Sequence, residues 1–135
     1  MRIRAHIDHR DGAQRVRVDT AGHAQTLSIA AKAQGHGSSV NGGELLMLAL
    51  ATCYANDLYR EAAQLGIAID AVEVQAEAEF DAPGAPASGI RYRARVSSSA
   101  PANAIEALLA HTDKVAEVHN TLRQINTVKR EPAWE

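Results

Sequence analysis

The sequence predicts an α+β fold, and three observations support that prediction. Apolar and polar residues alternate in the first thirty positions and again over 72–96, which indicates strands. Between these regions, residues 44–65 have the pattern of one long helix. The repeated strand–helix units of a parallel sheet are missing. Because the 135 residues contain no internal repeat or linker, we expect a single domain over 1–135.

Three short strands are predicted before the helix. The Asp11-Gly12 pair is typical of a tight turn, so the first two strands are expected to form a hairpin. A second turn is expected at Ala21-Gly22. The predicted strands cover residues 2–8, 15–19 and 25–29, and the glycine- and serine-rich residues 34–43 predict a loop.

The helix predicted over 44–65 is apolar almost all round in its first half, which favours burial on every side. Gly66 stands where a left-handed helix cap is expected. Glu44, in the first turn, suits the positive end of the helix dipole.

A second pair of strands is predicted after the helix. One has an acidic polar face and the other a basic one, which favours antiparallel pairing and most simply a solvated, salt-bridged surface. Two short helices and a last strand follow. These elements are predicted at residues 72–80, 90–96, 101–110, 114–123 and 126–130.

The composition allows only a thin core. Apolar residues make up 46% of the chain, but 27 of them are Ala and only five residues are aromatic. Association with a second chain would bury apolar surface that one chain cannot cover alone.

Charge and cysteine content exclude several classes of protein. A net charge of −2 does not favour nucleic-acid binding. No apolar run approaches the roughly 18 residues of a membrane span, and the first residues do not resemble a signal peptide. The only cysteine, Cys53, excludes an internal disulfide or a multi-thiolate metal site, and the histidines lack metal-ligand spacing. We therefore expect no metal, no nucleic-acid or membrane partner, and a cytoplasmic location.

Cys53 is the residue most suited to chemistry, and two interpretations are open. It lies in the middle of an apolar helix, where a buried thiol is inert and serves as a small packing residue. A cation that reached the thiol would turn it into a nucleophile.

Three segments resemble the OsmC/Ohr family of osmotically inducible and organic hydroperoxide resistance proteins. The first is His9-Arg10-Asp11-Gly12, similar to the family's Arg-Asp-Gly turn. The second runs from Asn41-Gly42-Gly43-Glu44-Leu45-Leu46 to Ala49-Leu50-Ala51-Thr52-Cys53, similar to its cysteine-bearing helix. The third is Val118-His119-Asn120-Thr121-Leu122, similar to the segment around its second cysteine.

The resemblance implies an intertwined homodimer with long helices packed at its centre and active sites at the interface. It implies reduction of organic hydroperoxides, with Cys53 as the attacking thiol and Arg10 as the cation that keeps it ionised. Two positions depart from the family. Ala116 stands where the second, resolving cysteine is expected, and Gly43 replaces a glutamate that orients the arginine. Glu44 comes one residue late for that role.

Two functions follow as hypotheses. In the first, the protein is an OsmC-like redox protein that reduces hydroperoxides through Cys53 and Arg10, needs no bound cofactor, and uses an external thiol or dithiol as reductant. In the second, it is a non-catalytic module of the same fold that binds a small apolar ligand at the dimer interface. A structural dimer without a ligand is a third alternative.

Overall fold

The computed structural model describes residues 1–124, 128–130 and 132. These residues form two antiparallel sheets and three helices, which confirms the predicted α+β class. The chain divides into two compact units, Met1–Leu45 and Leu46–Glu135. The elements are β1 (Ile3–Arg10), β2 (Ala13–Thr20), β3 (His23–Leu27), α1 (Gly42–Gln64), β4 (Ala71–Glu79), β5 (Ser88–Ser97), α2 (Ala102–Val115) and α3 (Glu117–Arg123).

The first unit contains a three-stranded antiparallel sheet in the order β1-β2-β3. Asp11 and Gly12 both have positive φ, 52° and 75°, as the tight hairpin turn requires. The same pattern recurs at Ala21 and Gly22, with φ of 52° and 89°. Both predicted turns are therefore confirmed.

The start of α1 is fixed by a reciprocal pair of hydrogen bonds. The backbone N–H of Glu44 donates to Asn41 Oδ1 at 2.9 Å, and the backbone N–H of Asn41 donates to Glu44 Oε2 at 2.7 Å. This is a capping box, in which each side chain satisfies a backbone donor at the helix end. The helix consequently begins at Gly42, two residues earlier than predicted.

The end of α1 confirms the predicted glycine cap. Gly66 has a φ of 68°, a conformation that is strained for other residues. Its N–H donates to the carbonyl of Ala63 at 3.3 Å, and the N–H of Ile67 donates to that of Ala62 at 2.9 Å. These two bonds form a Schellman motif and satisfy carbonyls that the helix end leaves unpaired.

The second unit contains the antiparallel pair β4-β5, as the acidic and basic faces predicted. Glu73 lies opposite Arg95, and Glu77 lies opposite Arg91. Their side chains form ion pairs at 3.6 Å and 2.6 Å. Because these pairs are exposed, each contributes at most about 1 kcal/mol to stability, so they select the pairing more than they stabilise it.

The core of the second unit is one apolar cluster in which α1, α2 and the residue before α3 meet. It consists of Tyr54, Leu58, Ala62, Leu108 and Ala116. Side chains from β4 and β5 pack against it.

The expected burial of α1 on every side is not found in the single chain. Its buried residues lie mainly in the second half of the helix, whereas Leu48 is 59% exposed. A helix packed by neighbours on one face leaves the other face open. The homodimer that would cover the open face stays a prediction.

The C-terminal elements differ in length from the prediction. α2 extends to Val115, and α3 begins at Glu117. The strand predicted over 126–130 falls partly outside the described residues, and 128–130 are neither helix nor strand. Within the described part of the chain, no helix is both long and apolar enough to cross a membrane.

Candidate functional site

Cys53 lies midway along α1, and the helix places Asp57 one turn further on. The thiol Sγ is 3.6 Å from Asp57 Oδ2 and donates to it. Asp57 is only 4% exposed, although it carries a carboxylate. The thiol thus lies beside a buried acidic group of its own helix.

The start of α3 brings a distant part of the chain to the same thiol. Glu117 Oε2 lies 3.9 Å from the Cys53 Sγ, and the backbone N–H of Val118 donates to the sulfur. Ala116, the residue just before, is fully buried in the core cluster that Cys53 packs against. The structure therefore places residues 116–118 next to Cys53, where the sequence resemblance expects a second cysteine.

This environment holds the thiol in its protonated form. Burial raises the pKa of Cys53, the carboxylates of Asp57 and Glu117 raise it further, and the N–H of Val118 opposes them. A free cysteine has a pKa of about 8.5, so a group shifted upward carries little thiolate at neutral pH. Within the second unit, these groups favour the protonated form of Cys53.

Arg60 is the cation nearest to this acidic group. Its Nη1 pairs with Asp57 Oδ1 at 2.7 Å and approaches Glu117 Oε1 at 3.9 Å. Burial raises the pKa of Asp57, while the guanidinium of Arg60 lowers it. Arg60 also binds Glu61 at 2.8 Å, and Glu61 in turn contacts His111 at 2.9 Å. The single positive charge of Arg60 is therefore shared among three carboxylates, those of Asp57, Glu61 and Glu117.

Three ligand atoms of the kind that bind metals converge here. Donor atoms of Cys53, Asp57 and Glu117 lie within 4.8 Å of one another. The guanidinium of Arg60 already pairs with both carboxylates, so its positive charge offsets part of the negative charge that would attract a divalent cation.

A cluster of aromatic rings adjoins the thiol. The ring of His119 packs 4.5 Å from that of Tyr92 and 5.4 Å from that of Tyr54. The Tyr54 hydroxyl donates to the carbonyl of Leu109 at 2.7 Å, and the Tyr92 hydroxyl donates to Asp113. These bonds tie α1 and β5 to α2 and fix the rings against which α3 docks.

Arg10, the other predicted site residue, belongs to the first unit. It lies at the end of β1, where its Nε donates to Asp8 Oδ1 at 3.0 Å. Its side chain is 80% exposed. Its predicted role toward Cys53 stays a prediction.

Sequence reasoning missed the groups that surround the thiol. Asp57 was identifiable, because it follows Cys53 by four residues and so shares its helix face. Arg60 was identifiable in the same way, because it follows Asp57 by three residues on α1. Glu117 carried no such signal, because only the docking of α3 on α1 brings it to the thiol.

These features define a class: an α+β protein with antiparallel sheets and its single cysteine on its longest helix. The chain belongs to the OsmC family, whose model, described as OsmC-like protein, matches residues 35–131. The resemblance seen in the sequence is thereby confirmed. Comparison with curated proteins found no match.

Solved structures of the same fold resemble most of the chain. An organic hydroperoxide resistance protein OsmC from Legionella pneumophila is 21% identical, with a TM-score of 0.61, covering 91% of this chain and 90% of that one. An organic hydroperoxide resistance protein from Elizabethkingia anophelis is 13% identical, with a TM-score of 0.62 and coverage of 91% and 89%. An OsmC-like protein from Mycoplasma pneumoniae is 19% identical, with a TM-score of 0.59 and coverage of 92% and 87%. At these identities the likeness concerns the fold.

Proposed function

We propose that this protein is an OsmC-like redox protein of the cytoplasm that reduces organic hydroperoxides through Cys53. The observation that carries the proposal is the half-buried thiol on α1, in contact with the segment 116–118. Membership of the OsmC-like family supports it. The Legionella and Elizabethkingia proteins of the same fold are themselves named for organic hydroperoxide resistance.

The proposed reaction begins with attack of the Cys53 thiolate on the peroxide oxygen. An S–O bond forms and the O–O bond breaks, so sulfur is oxidised to sulfenic acid and the hydroperoxide leaves as an alcohol after taking up a proton. An external thiol then condenses with the sulfenic acid, releasing water. A second external thiol attacks the resulting mixed disulfide and restores the Cys53 thiol.

An external reductant is needed because Ala116 has no thiol with which to resolve the sulfenic acid. A cation is needed because burial and the carboxylates hold the pKa of Cys53 above its usual range. We assign that role to Arg10, acting in a homodimer whose active sites lie at the interface between subunits.

The proposal is tested by following consumption of cumene hydroperoxide with dithiothreitol as reductant. The parent should turn over and Cys53→Ser should not. After stoichiometric peroxide without reductant, intact mass should rise by one oxygen in the parent only. Arg10→Met should slow the oxidation at least tenfold, with Arg4→Met as the matched control. A parent that gains no oxygen would show that Cys53 is only a packing residue.

A second candidate is a non-catalytic module that binds a small apolar ligand, and a cavity in the second unit favours it. The cavity has a volume of about 340 Å³, within the range of small-ligand sites. Its lining is largely apolar and aromatic and consists of Leu50, Ile90, Arg91, Tyr92, His119, Leu122 and Arg123. The raised pKa of Cys53 also favours this candidate, because it leaves little thiolate.

Titration of Cys53 with a thiol-reactive probe distinguishes the two candidates. A thiolate population at neutral pH in the assembled protein supports the peroxidase. A titration above about 8.5, together with binding of an apolar probe such as anilinonaphthalene sulfonate that Leu122→Asp abolishes, supports the ligand-binding module.

A further inference from the structure

His119 is a buried ionisable residue that the proposed reaction does not use. It lies on α3, is 3% exposed, and is enclosed by the rings of Tyr54 and Tyr92. Neither of its ring nitrogens has a hydrogen-bond partner among the described residues. Burying a neutral ring here costs less free energy than burying a protonated one, because the protonated ring would carry a charge and two N–H donors without an acceptor.

The groups that face His119 come from every element packed against it. Tyr54 of α1 and Tyr92 of β5 contact the His119 ring at tilted and T-shaped angles, and neither carries a formal negative charge that would pair with a protonated ring. Asp113 of α2 favours the charged ring, but its carboxylate already accepts bonds from Tyr92 and Arg123. Arg123, on α3 itself, opposes a second positive charge.

These groups act together on the titration of the ring. Burial lowers the pKa of His119, the charge of Arg123 lowers it further, and Asp113 opposes them. A ring released into water would regain the ordinary histidine pKa of about 6.5.

The helix that carries His119 also covers the thiol. Glu117 and Val118, the two residues before it, contact the Cys53 Sγ. α3 has only seven residues, and on its other side His119, Leu122 and Arg123 border the 340 Å³ cavity. The cavity leaves space beside the helix, and a displacement of α3 into that space would expose His119 and draw Glu117 and Val118 away from Cys53.

We propose that His119 is a pH-sensitive latch that keeps α3 docked over the Cys53 thiol while its ring is neutral and releases the helix on acidification. The sign follows from linkage: the released state binds the proton more readily, so docking is fully favourable above the released pKa and weakens as the pH falls below it. One proton can change the docking equilibrium by at most about tenfold per pH unit.

The inference rests on the proposed function only in treating Cys53 as the thiol that matters, and its test requires no peroxidase activity. N-ethylmaleimide alkylation of Cys53 is measured from pH 7.5 to 5.5 in the full chain and in His119→Phe. Phe preserves a packed ring and cannot bind a proton. The rate in the parent, divided by that in the variant, should stay constant above about pH 6.5 and rise by about threefold to tenfold at pH 5.5. A constant ratio would overturn the latch.

Hydrogen exchange in the parent alone gives a second test that does not depend on folding of the variant. After correction for intrinsic pH dependence, amides of residues 118–121 should lose protection below pH 6.5, while those of residues 55–62 in α1 keep theirs. Protection that is unchanged in both segments, or lost equally in both, would overturn the proposal, since the second outcome is global unfolding. A failure of peroxidase activity would leave these measurements unaffected.

Discussion

The two units of the chain differ in how they bury apolar side chains. In Met1–Leu45 no residue is fully buried, and Ile3 and Ile7 on one face of β1 are 62% and 57% exposed. In Leu46–Glu135, a cluster around Leu58 and Leu108 excludes water completely. The second unit thus contains a core of its own, whereas the sheet of the first unit has hydrogen-bonded strands and an apolar face without a core.

Backbone hydrogen bonding and apolar burial therefore do not occur together throughout this molecule. The first unit has paired strands without a core, and the second unit has both. A three-stranded sheet needs an apolar face packed against something to be stable in water. The exposed apolar face of the first unit agrees with the thin core expected from the composition. It supports the proposal that a second copy of the chain covers this face in a homodimer.

The core of the second unit should be the most sensitive part of the molecule. Leu58 is fully buried, so Leu58→Ala should lower the free energy of unfolding by about 2–5 kcal/mol, because it leaves a cavity as well as losing apolar burial. Urea denaturation measures this loss. The matched control, Leu65→Ala at a position 59% exposed, should cost less than about 1 kcal/mol. Equal losses would contradict the described core.

The apolar face of the first unit should matter only if a second copy covers it. Ile7→Ser should then lower stability by about 1–3 kcal/mol and shift the protein from two chains to one in sedimentation at low micromolar concentration. Arg4→Ser, on the opposite face of the same strand, should leave the assembly unchanged. A parent that sediments as a folded monomer would refute the dimer.

Substitutions at Asn41 measure how much the capping box stabilises the start of α1. Asn41→Ala removes one of the two reciprocal bonds and should cost about 1 kcal/mol in thermal or urea unfolding. Asn41→Asp, which retains the acceptor, should restore most of that loss, although it places two carboxylates close together. No loss in the alanine variant would mean that the helix end is satisfied by water instead.

Replacing the carboxylates near Cys53 should change the alkylation rate of the thiol more than it changes the stability of the protein. Because Asp57 contributes to the raised pKa of Cys53, Asp57→Asn should lower that pKa and speed alkylation by iodoacetamide at pH 7.5. Glu117→Gln should act in the same direction but less, because the Glu117 side chain is 71% exposed and so is screened by water. Slower alkylation in Asp57→Asn would instead indicate that Asp57 accepts the thiol proton.

Elements fixed by neighbouring residues were predictable from the sequence. The Asp11-Gly12 turn and the Gly66 cap depend on backbone conformations that few residues adopt, so their residue types reveal them. The pairing of β4 with β5 followed from opposite charges on their polar faces. The resemblance in the last helix also pointed correctly to residues near Cys53.

Features that depend on distant contacts were not predictable. Glu117 lies 64 residues after Cys53, and no pattern along the chain links the two. His119 stood in a segment that resembles the family, but its burial was not predictable, because it depends on where Tyr54 and Tyr92 come together. The exposure of Leu48 was missed for the opposite reason: an apolar sequence predicts burial without specifying which chain provides it.

The contact of α3 with Cys53 also sets an order of events during synthesis. The hairpins of the first unit join adjacent residues and can form within about 1–10 μs of leaving the ribosome. The cover of the thiol must wait for a segment 64 residues further on, which at 5–20 residues per second takes about 3–13 s. Throughout that interval the nascent chain carries an uncovered thiol, and with one cysteine in its sequence it has no second thiol of its own with which to mispair.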